Sequence, residues 1–181
     1  MKRNILFRLN ASNRRIPALP RKSSKLDRID LRILDELQKD ARITNKALSE
    51  KVGLSPSPCL QRVKRLEDIG LISGYLGLIN LEQLCRHVTV MATITIRDHD
   101  HSIFSTFEES IADLPDVAEC LKLSGSFDYL VRFVCTDIQR YHSVTEDLLV
   151  KIGGKMQIAS HVVLDQTKQY RGVALDELVN G

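Results

Sequence analysis

The chain has 181 residues, of which 43% are hydrophobic and 27% charged, values that are ordinary for a soluble globular protein of one or two domains. Its longest strongly apolar stretch, Val88–Ile96, is about half as long as a bilayer span requires, so we expect no transmembrane helix and no membrane partner. The four cysteines include no CxxC pair, which argues against a zinc knuckle or a disulfide framework and favours a reducing, cytoplasmic location.

The net charge of +3 is unevenly distributed along the chain. Residues 1–25 contain eight Lys or Arg and no acid, and residues 26–80 contain nine basic and eight acidic residues. Residues 81–181 contain nine basic and fifteen acidic residues. We interpret residues 1–25 as a basic, disordered extension that attracts phosphates, in preference to a transit peptide. The remainder divides into a near-neutral module and an acidic one.

Residues 26–74 have the pattern of a small helical domain. Apolar residues recur at helical spacing from Leu26, which predicts a first helix up to about Lys39. Thr44 is a suitable N-cap for a short second helix, and Gly53 is placed to end it.

A third helix is predicted from its start signals. Ser55 stands at the N-cap position and Pro56 at the first helical position, where a missing N–H does no harm. The helix should run to about Asp68. The following "LISGYLGLIN" reads as one or two short strands, with residues 75–86 as a linker strand.

Residues 87–170 show a different order of elements: strand, helix, strand, strand, helix, strand. The first strand, "HVTVMATITI", alternates apolar residues with others, and "VAECLKLS" and "DYLVRFVC" are joined by "GSF". The last strand is "MQIASHVVL", and residues 171–181 form a C-terminal tail. This is the ferredoxin-like βαββαβ pattern. We therefore predict an α+β fold, with an N-terminal (winged) helix-turn-helix domain and a C-terminal ferredoxin-like βαββαβ domain.

The third predicted helix has two faces on a helical wheel. Cys59 lies on the apolar side with Leu60, Val63 and Leu66, where burial makes a thiol a core residue rather than a nucleophile. The other side carries polar and basic residues: Ser57, Pro58, Gln61, Arg62, Lys64, Arg65 and Asp68.

A short helix, a glycine turn and a helix with a basic outer face follow the helix-turn-helix plan, in which the second helix enters the major groove of DNA. Ser57, Gln61 and Arg62 are placed for base edges, because Gln suits adenine and Arg suits guanine. Lys64 and Arg65 are placed for phosphates. The alternative interpretation is a solvated charged face.

The residues alone leave other sites open. "GSF" is either a hairpin turn or a ligand loop, and Asp128 beside it could cap that turn. His99 and His101 alternate with aspartates as in a metal site, but a solvated loop is the favoured interpretation. The sequence contains no P-loop, GxGxxG, GxSxG or HExxH motif, so we predict that the protein is not an enzyme and needs no metal or cofactor.

Two blocks carry a family resemblance. "LDRIDLRILDELQKDARITNKALSEKVGLSPSPCLQRVKRLEDIGLISGYLGLIN" and "LSGSFDYLVRF" closely resemble the Lrp/AsnC family of leucine-responsive, feast/famine transcriptional regulators, over Leu26 to about Tyr170. The resemblance implies dimers that assemble into octamers and bend DNA. It places the helix-turn-helix at residues 44–64, with this DNA-binding set: Thr44, Asn45, Ser55, Ser57, Pro58, Gln61, Arg62, Lys64 and Arg65.

The resemblance also implies an amino-acid or similar effector bound between ferredoxin-like domains. Gly125 would allow close backbone approach, and Asp128 would receive an ammonium group. The implied effector-binding set is Ser124, Gly125, Ser126, Phe127, Asp128, Tyr129, Ile138, Val150, Ser160, His161 and Val162. Ser126 and the "KIGGKMQ" turn depart from the family pattern. We therefore predict a sequence-specific DNA-binding regulator that responds to an amino acid; the alternatives are an effector-independent architectural DNA-binding protein, or a metabolite-binding module or enzyme of ferredoxin-like fold.

Overall fold

The computed structural model describes residues 26–97 and 101–180. Contacts divide this part of the chain into two compact units. The helical unit comprises residues 26–78 and 168–180, and the sheet unit comprises residues 79–97 and 101–167. The basic extension predicted at residues 1–25 lies outside the described residues, as does His99 with its two neighbouring aspartates.

The helical unit contains the three predicted helices: α1 (Arg28–Lys39), α2 (Asn45–Val52) and α3 (Pro56–Asp68). Their ends follow local chemistry. Thr44 Oγ1 accepts a hydrogen bond from the Ala47 N–H at 3.2 Å, as an N-cap does. Gly53 ends α2 with φ of 76°, a left-handed conformation that glycine adopts without the steric penalty of a side chain.

The core of the helical unit is a small apolar cluster. It is formed by Ile33, Leu48, Val52, Cys59 and Leu66. Cys59 is fully buried, and this burial raises the pKa of its thiol, so the predicted core position is confirmed.

The prediction for Leu60 is wrong. We placed it on the apolar side of α3, but it is 57% exposed. The physical reason is that Leu60 stands at the border of the apolar arc, and the rotation of α3 that buries Cys59 and Leu66 turns this border outward.

The strands predicted after α3 are absent from the described residues. Residues 73–80 have no regular structure, and residues 81–84 form one helical turn, α4 (Leu81–Leu84). A strand needs a neighbour for its backbone N–H and C=O groups, and no described part of the single chain pairs with this segment. Its apolar side chains, including Leu76 and Leu78, are therefore left exposed.

The sheet unit has the predicted order: β1 (Val88–Ile96), α5 (His101–Ala112), β2 (Val117–Lys122), β3 (Tyr129–Cys135), α6 (Ile138–Lys151) and β4 (Met156–Val162). The strands form one sheet in the order β2-β3-β1-β4, with every neighbouring pair antiparallel. This topology confirms the ferredoxin-like prediction.

One face of this sheet packs on the helices and forms the core of the sheet unit. The other face lies outside that core. The alternate residues Val90, Ala92, Ile94 and Ile96 of β1 are buried with side chains from α5 and α6, as their spacing predicts. Residues between them, such as Met91, point to the opposite, open face and are only partly buried.

The last residues, expected as a tail at 171–181, form a short helix where they are described. This helix, α7 (Leu175–Asn180), packs against α1. The Gln38 side-chain amide contacts both backbone groups of Val173: Nε2 donates to the carbonyl at 3.2 Å, and Oε1 accepts from the N–H at 2.9 Å. Among all the described helices, none is long and apolar enough to cross a membrane.

Candidate nucleic-acid interface and effector site

The outer face of α3 presents three different polar groups. Ser57, Gln61 and Lys64 are all exposed, and they supply a hydroxyl, an amide and an ammonium along the N-terminal two turns and the start of the third. Ser55 stands at the N-cap position, but its side chain makes no capping hydrogen bond. This face therefore has hydrogen-bond donors and acceptors for base edges and a positive charge for phosphates.

Two other residues of the predicted DNA-binding set have bonds within the protein. The Thr44 hydroxyl oxygen caps α2. Asn45 Nδ2 donates to the Pro56 carbonyl at 2.8 Å and so ties the start of α2 to the start of α3. Pro58 is partly buried in the first turn of α3. These residues set the position of the helix that would meet DNA.

The two arginines of α3 are engaged by acids at the start of α1. Arg62 Nη1 donates to Asp27 Oδ2 at 2.6 Å and to Asp30 Oδ1 at 2.9 Å. Arg65 Nη2 donates to Asp30 Oδ2 at 2.5 Å. The structure therefore gives both guanidinium groups, which we predicted to face DNA, carboxylate partners within the helical unit.

The same acids cap α1. The Asp27 side chain accepts from the Asp30 N–H at 2.9 Å, and the Asp30 side chain accepts from the Asp27 N–H at 3.2 Å, which is a reciprocal capping box. The Asp30 backbone N–H, with help from Arg62, lowers the pKa of Asp27, and the two carboxylates raise the pKa of Arg62.

Sequence reasoning missed Asp27 and Asp30. The available signal was "DRID", two acids at the three-residue spacing of a capping box at the start of an apolar helix. That pattern locates the helix start, but it gives no sign of the arginines more than thirty positions later that share the carboxylates.

The predicted effector loop, residues 124–128, is anchored to the sheet through Asp128. Asp128 Oδ2 accepts from the Ile96 N–H at 2.7 Å, and the Asp128 N–H donates to the Ile94 carbonyl at 2.8 Å. Gly125 in this loop has φ of 142°, which suits glycine. A ligand ammonium at Asp128 would therefore share the carboxylate with the end of β1. The alternative interpretation predicts that Asp128 caps its own turn, whereas this oxygen bonds to the backbone of β1.

Tyr129 is part of the core of the sheet unit. Its ring is buried, and its hydroxyl donates to Glu108 Oε1 at 2.7 Å. Burial, with the hydrogen bond to Glu108, raises the pKa of Tyr129. Tyr129 therefore belongs to the core beneath the predicted loop, and its hydroxyl already has a hydrogen-bond partner.

The other predicted effector residues do not meet in one chain. Ser160 lies opposite Ala92 on β1 and shares a hydrogen bond of 2.5 Å with the Tyr141 hydroxyl. His161, the next residue, points to the open face of the sheet. Ile138, Val150 and Val162 are apolar and exposed.

The register shows how far apart these residues are. Tyr129 pairs with Ile94 of β1, and Val162 pairs with Val90, so about 13 Å of strand separates the two positions. Ile138 follows β3 at the end where Cys135 pairs with Val88. The set is thus divided between both ends of the sheet. Within residues 26–97 and 101–180, no cluster of three or more His, Cys, Asp or Glu side chains could hold a metal ion.

Comparison with known proteins matches both units. Residues 26–73 match the family model described as winged helix-turn-helix DNA-binding, and residues 89–173 match the Lrp/AsnC ligand binding domain. The leucine-responsive regulatory proteins of Klebsiella pneumoniae and Escherichia coli K12 are 40% identical over 149 residues, which cover 82% of this chain and 91% of each relative.

Solved structures agree. A Neisseria meningitidis transcriptional regulator in complex with L-Met superimposes with a TM-score of 0.78 at 34% identity, covering 85% of this chain and 99% of that one. An AsnC family transcriptional regulator from Agrobacterium tumefaciens gives a TM-score of 0.76 at 31% identity, covering 85% of this chain and all of that one. With a match to the helix-turn-helix model, a match to the Lrp/AsnC ligand binding domain and relatives 40% identical over most of its length, the chain belongs to the Lrp/AsnC family of DNA-binding transcriptional regulators.

Proposed function

We propose that this regulator reads a specific DNA sequence with the exposed face of α3. The observation that carries the proposal is the combination of Ser57, Gln61 and Lys64 on one solvent-facing side of the second helix of a helix-turn-helix. Gln61 pairs with adenine in the major groove, and Lys64 neutralises a phosphate. Ser55 and Ser57 at the start of α3 add donors near the backbone of the DNA, where the helix N-terminus favours a phosphate.

Selection of bound sites from random duplexes, followed by affinity measurements over a salt series, tests this proposal. Gln61→Ala should reduce affinity by about 1–3 kcal/mol and relax the preference at one base pair. Lys64→Ala should weaken all sites alike and reduce the slope of log K against log salt by about one. If the wild-type chain selects no site, or if both variants bind like wild type, α3 does not read DNA in this way.

We infer that the effector is an amino acid. The Neisseria relative was solved with L-Met, and the enterobacterial relatives carry a leucine-responsive name. In this chain, Asp128 offers a carboxylate for an ammonium group beside Gly125, where a ligand can approach the backbone. Calorimetric titration with the twenty amino acids should give binding for one or a few, and Asp128→Ala should remove it.

The outcome of that titration also distinguishes an amino-acid-responsive regulator from the main alternative. If none of the twenty amino acids binds to a protein that still binds DNA, the result would favour an architectural DNA-binding protein without an effector. Asp128→Asn, which keeps an acceptor for the Ile96 N–H, distinguishes loss of the ligand from loss of the loop.

We propose that the protein works in the cytoplasm as a homodimer that assembles into an octamer. The open sheet face, the exposed Leu76 and Leu78, and the division of the effector set between two ends of the sheet all support association. Light scattering over a concentration series should give dimers and octamers. A monomer at micromolar concentration would contradict the proposal.

A further inference from the structure

We propose that Arg62 is a positioning residue that holds α3 against the start of α1, and that it does not read bases. The proposal rests on the proposed function of α3 as the DNA-reading helix. It assigns Arg62 a role different from that of Gln61, its neighbour in the sequence.

The hydrogen bonds of Arg62 have the geometry of an anchor. One atom, Nη1, bridges Asp27, the N-cap of α1, and Asp30 in the first turn of α1. Asp30 is 1% exposed, and its second oxygen is held by Arg65. Two arginines one turn apart on α3 therefore converge on one buried carboxylate, while the capping box fixes that carboxylate on α1.

The direction of the side chain separates Arg62 from the residues of α3 that we propose to face DNA. Successive residues of a helix are rotated by about 100°, so Arg62 points about 100° from Gln61, 140° from Ser57 and 160° from Lys64. Those three residues are exposed, whereas Arg62 is partly buried. A helix that presents them to the major groove turns Arg62 toward α1.

The buried carboxylate of Asp30 determines whether Arg62 bonds to α1 or to a base. To reach a guanine, Arg62 would have to leave Asp30, and a buried carboxylate that loses a charged partner is strongly unfavourable. The apolar contacts of Cys59 and Leu66 fix how closely α3 packs. The ion pairs at its side fix its rotation about its own axis, and a small rotation moves Gln61 relative to the base edges.

The direction in which one substitution changes DNA affinity distinguishes a positioning role for Arg62 from a purely electrostatic one. Removing an acid beside a DNA-binding face strengthens DNA binding if electrostatics alone matter. If Asp30 positions α3 through Arg62, Asp30→Asn weakens DNA binding instead. Asn keeps the oxygen that accepts the Asp27 N–H and so preserves the cap.

The experiment measures, for the full-length protein, the affinity for a selected DNA site and for versions with single base-pair changes. Arg62→Gln and Asp30→Asn should each lower affinity about tenfold on every duplex, and the double variant should bind no worse than the weaker single variant. Arg62→Lys should retain most of the affinity, because one nitrogen suffices to bridge the acids. Lys64→Ala also removes one positive charge from the same helix, so it serves as the control for loss of charge alone.

Loss of preference at a single base pair in Arg62→Gln, with Asp30→Asn binding as tightly as wild type or more tightly, would overturn the proposal. If Asp30→Asn does not fold, the direction of the change in DNA affinity is measured for Asp27→Asn instead, because the Asp27 carboxylate is half-exposed. A wild-type chain that selects no DNA site defeats the proposed function instead. The anchor is then judged by thermal unfolding, where additive effects of Arg62→Gln and Asp27→Asn would disprove it.

Discussion

Substitution of Gly172 by alanine should release α7 from α1. Gly172 has φ of 99°, a conformation that L side chains rarely adopt, and a Cβ there would lie 2.4 Å from Gln38 Oε1 and 2.8 Å from Gln38 Cδ. The Gln38 amide cannot yield without losing its two hydrogen bonds to Val173. Alanine therefore acts on the contact that docks the C-terminal residues on α1.

The size of the effect follows from these contacts. Two hydrogen bonds contribute about 1 kcal/mol each, and the left-handed backbone adds about 1 kcal/mol of strain for alanine, so docking should weaken by about 3 kcal/mol. That corresponds to a loss of about 100-fold in the protection of the Val173 amide against hydrogen exchange. The midpoint of global unfolding should move less, because α7 can detach before α1, α2 and α3 unfold.

Gly70→Ala is the matched control for this exchange measurement. Gly70 also has a positive φ, 75°, but no atom lies within 4 Å of the position that its Cβ would take. Gly70→Ala should therefore lower global stability by about 1 kcal/mol and leave α7 docked. Gln38→Ala should reproduce the loss at Val173. Wild-type protection of the Val173 amide in Gly172→Ala would refute the reasoning, as would an equal loss in Gly70→Ala.

Two further substitutions probe the two units separately. Cys59→Ser places a hydroxyl in the apolar cluster of the helical unit and should destabilise it by about 1–3 kcal/mol in urea unfolding, whereas exposed Cys85→Ser should be neutral. In the sheet unit, the Arg140 guanidinium holds the pKa of Asp116 below its ordinary value of 3.8 through hydrogen bonds of 3.0 and 2.6 Å. Because the folded-state pKa is lowered, this stabilisation is present above the ordinary value and is lost as the pH falls through the folded one. Arg140→Gln should therefore destabilise the sheet unit at neutral pH, and thermal unfolding below pH 4 should show a smaller difference from wild type.

Where the signal was local or periodic, the sequence predicted the fold well. Thr44 and Gly53 mark the ends of α2 through bonds and dihedral angles within a few residues, and β1 shows which face is buried through its alternation. The segment after α3 has the composition of a strand, yet strand formation depends on a partner elsewhere. Leu60 shows a related limit, because a helical wheel does not say where the buried arc ends.

The candidate DNA-binding face was predicted only in part for the same physical reason. Ser57, Gln61 and Lys64 are exposed as their positions on the wheel suggest. Arg62 has the same charge as Lys64 and lies next to Gln61 in the sequence. Its role, however, is determined by the Asp30 carboxylate, 32 residues earlier in the chain. Periodicity shows which side of a helix a residue occupies, whereas ion pairs depend on how helices cross.

The division of the effector set between two ends of the sheet has a consequence for regulation. If subunits complete the site, the ligand binds only the associated form and stabilises it by mass action. Association and ligand binding must then strengthen each other by the same factor. We therefore expect the apparent affinity for the amino acid to fall on dilution of the protein through the range where light scattering shows dissociation. Leu78→Glu, which places a charge on an exposed apolar position, should shift both transitions to higher protein concentration together. An affinity that stays constant while the assembly dissociates would place the whole site within one chain.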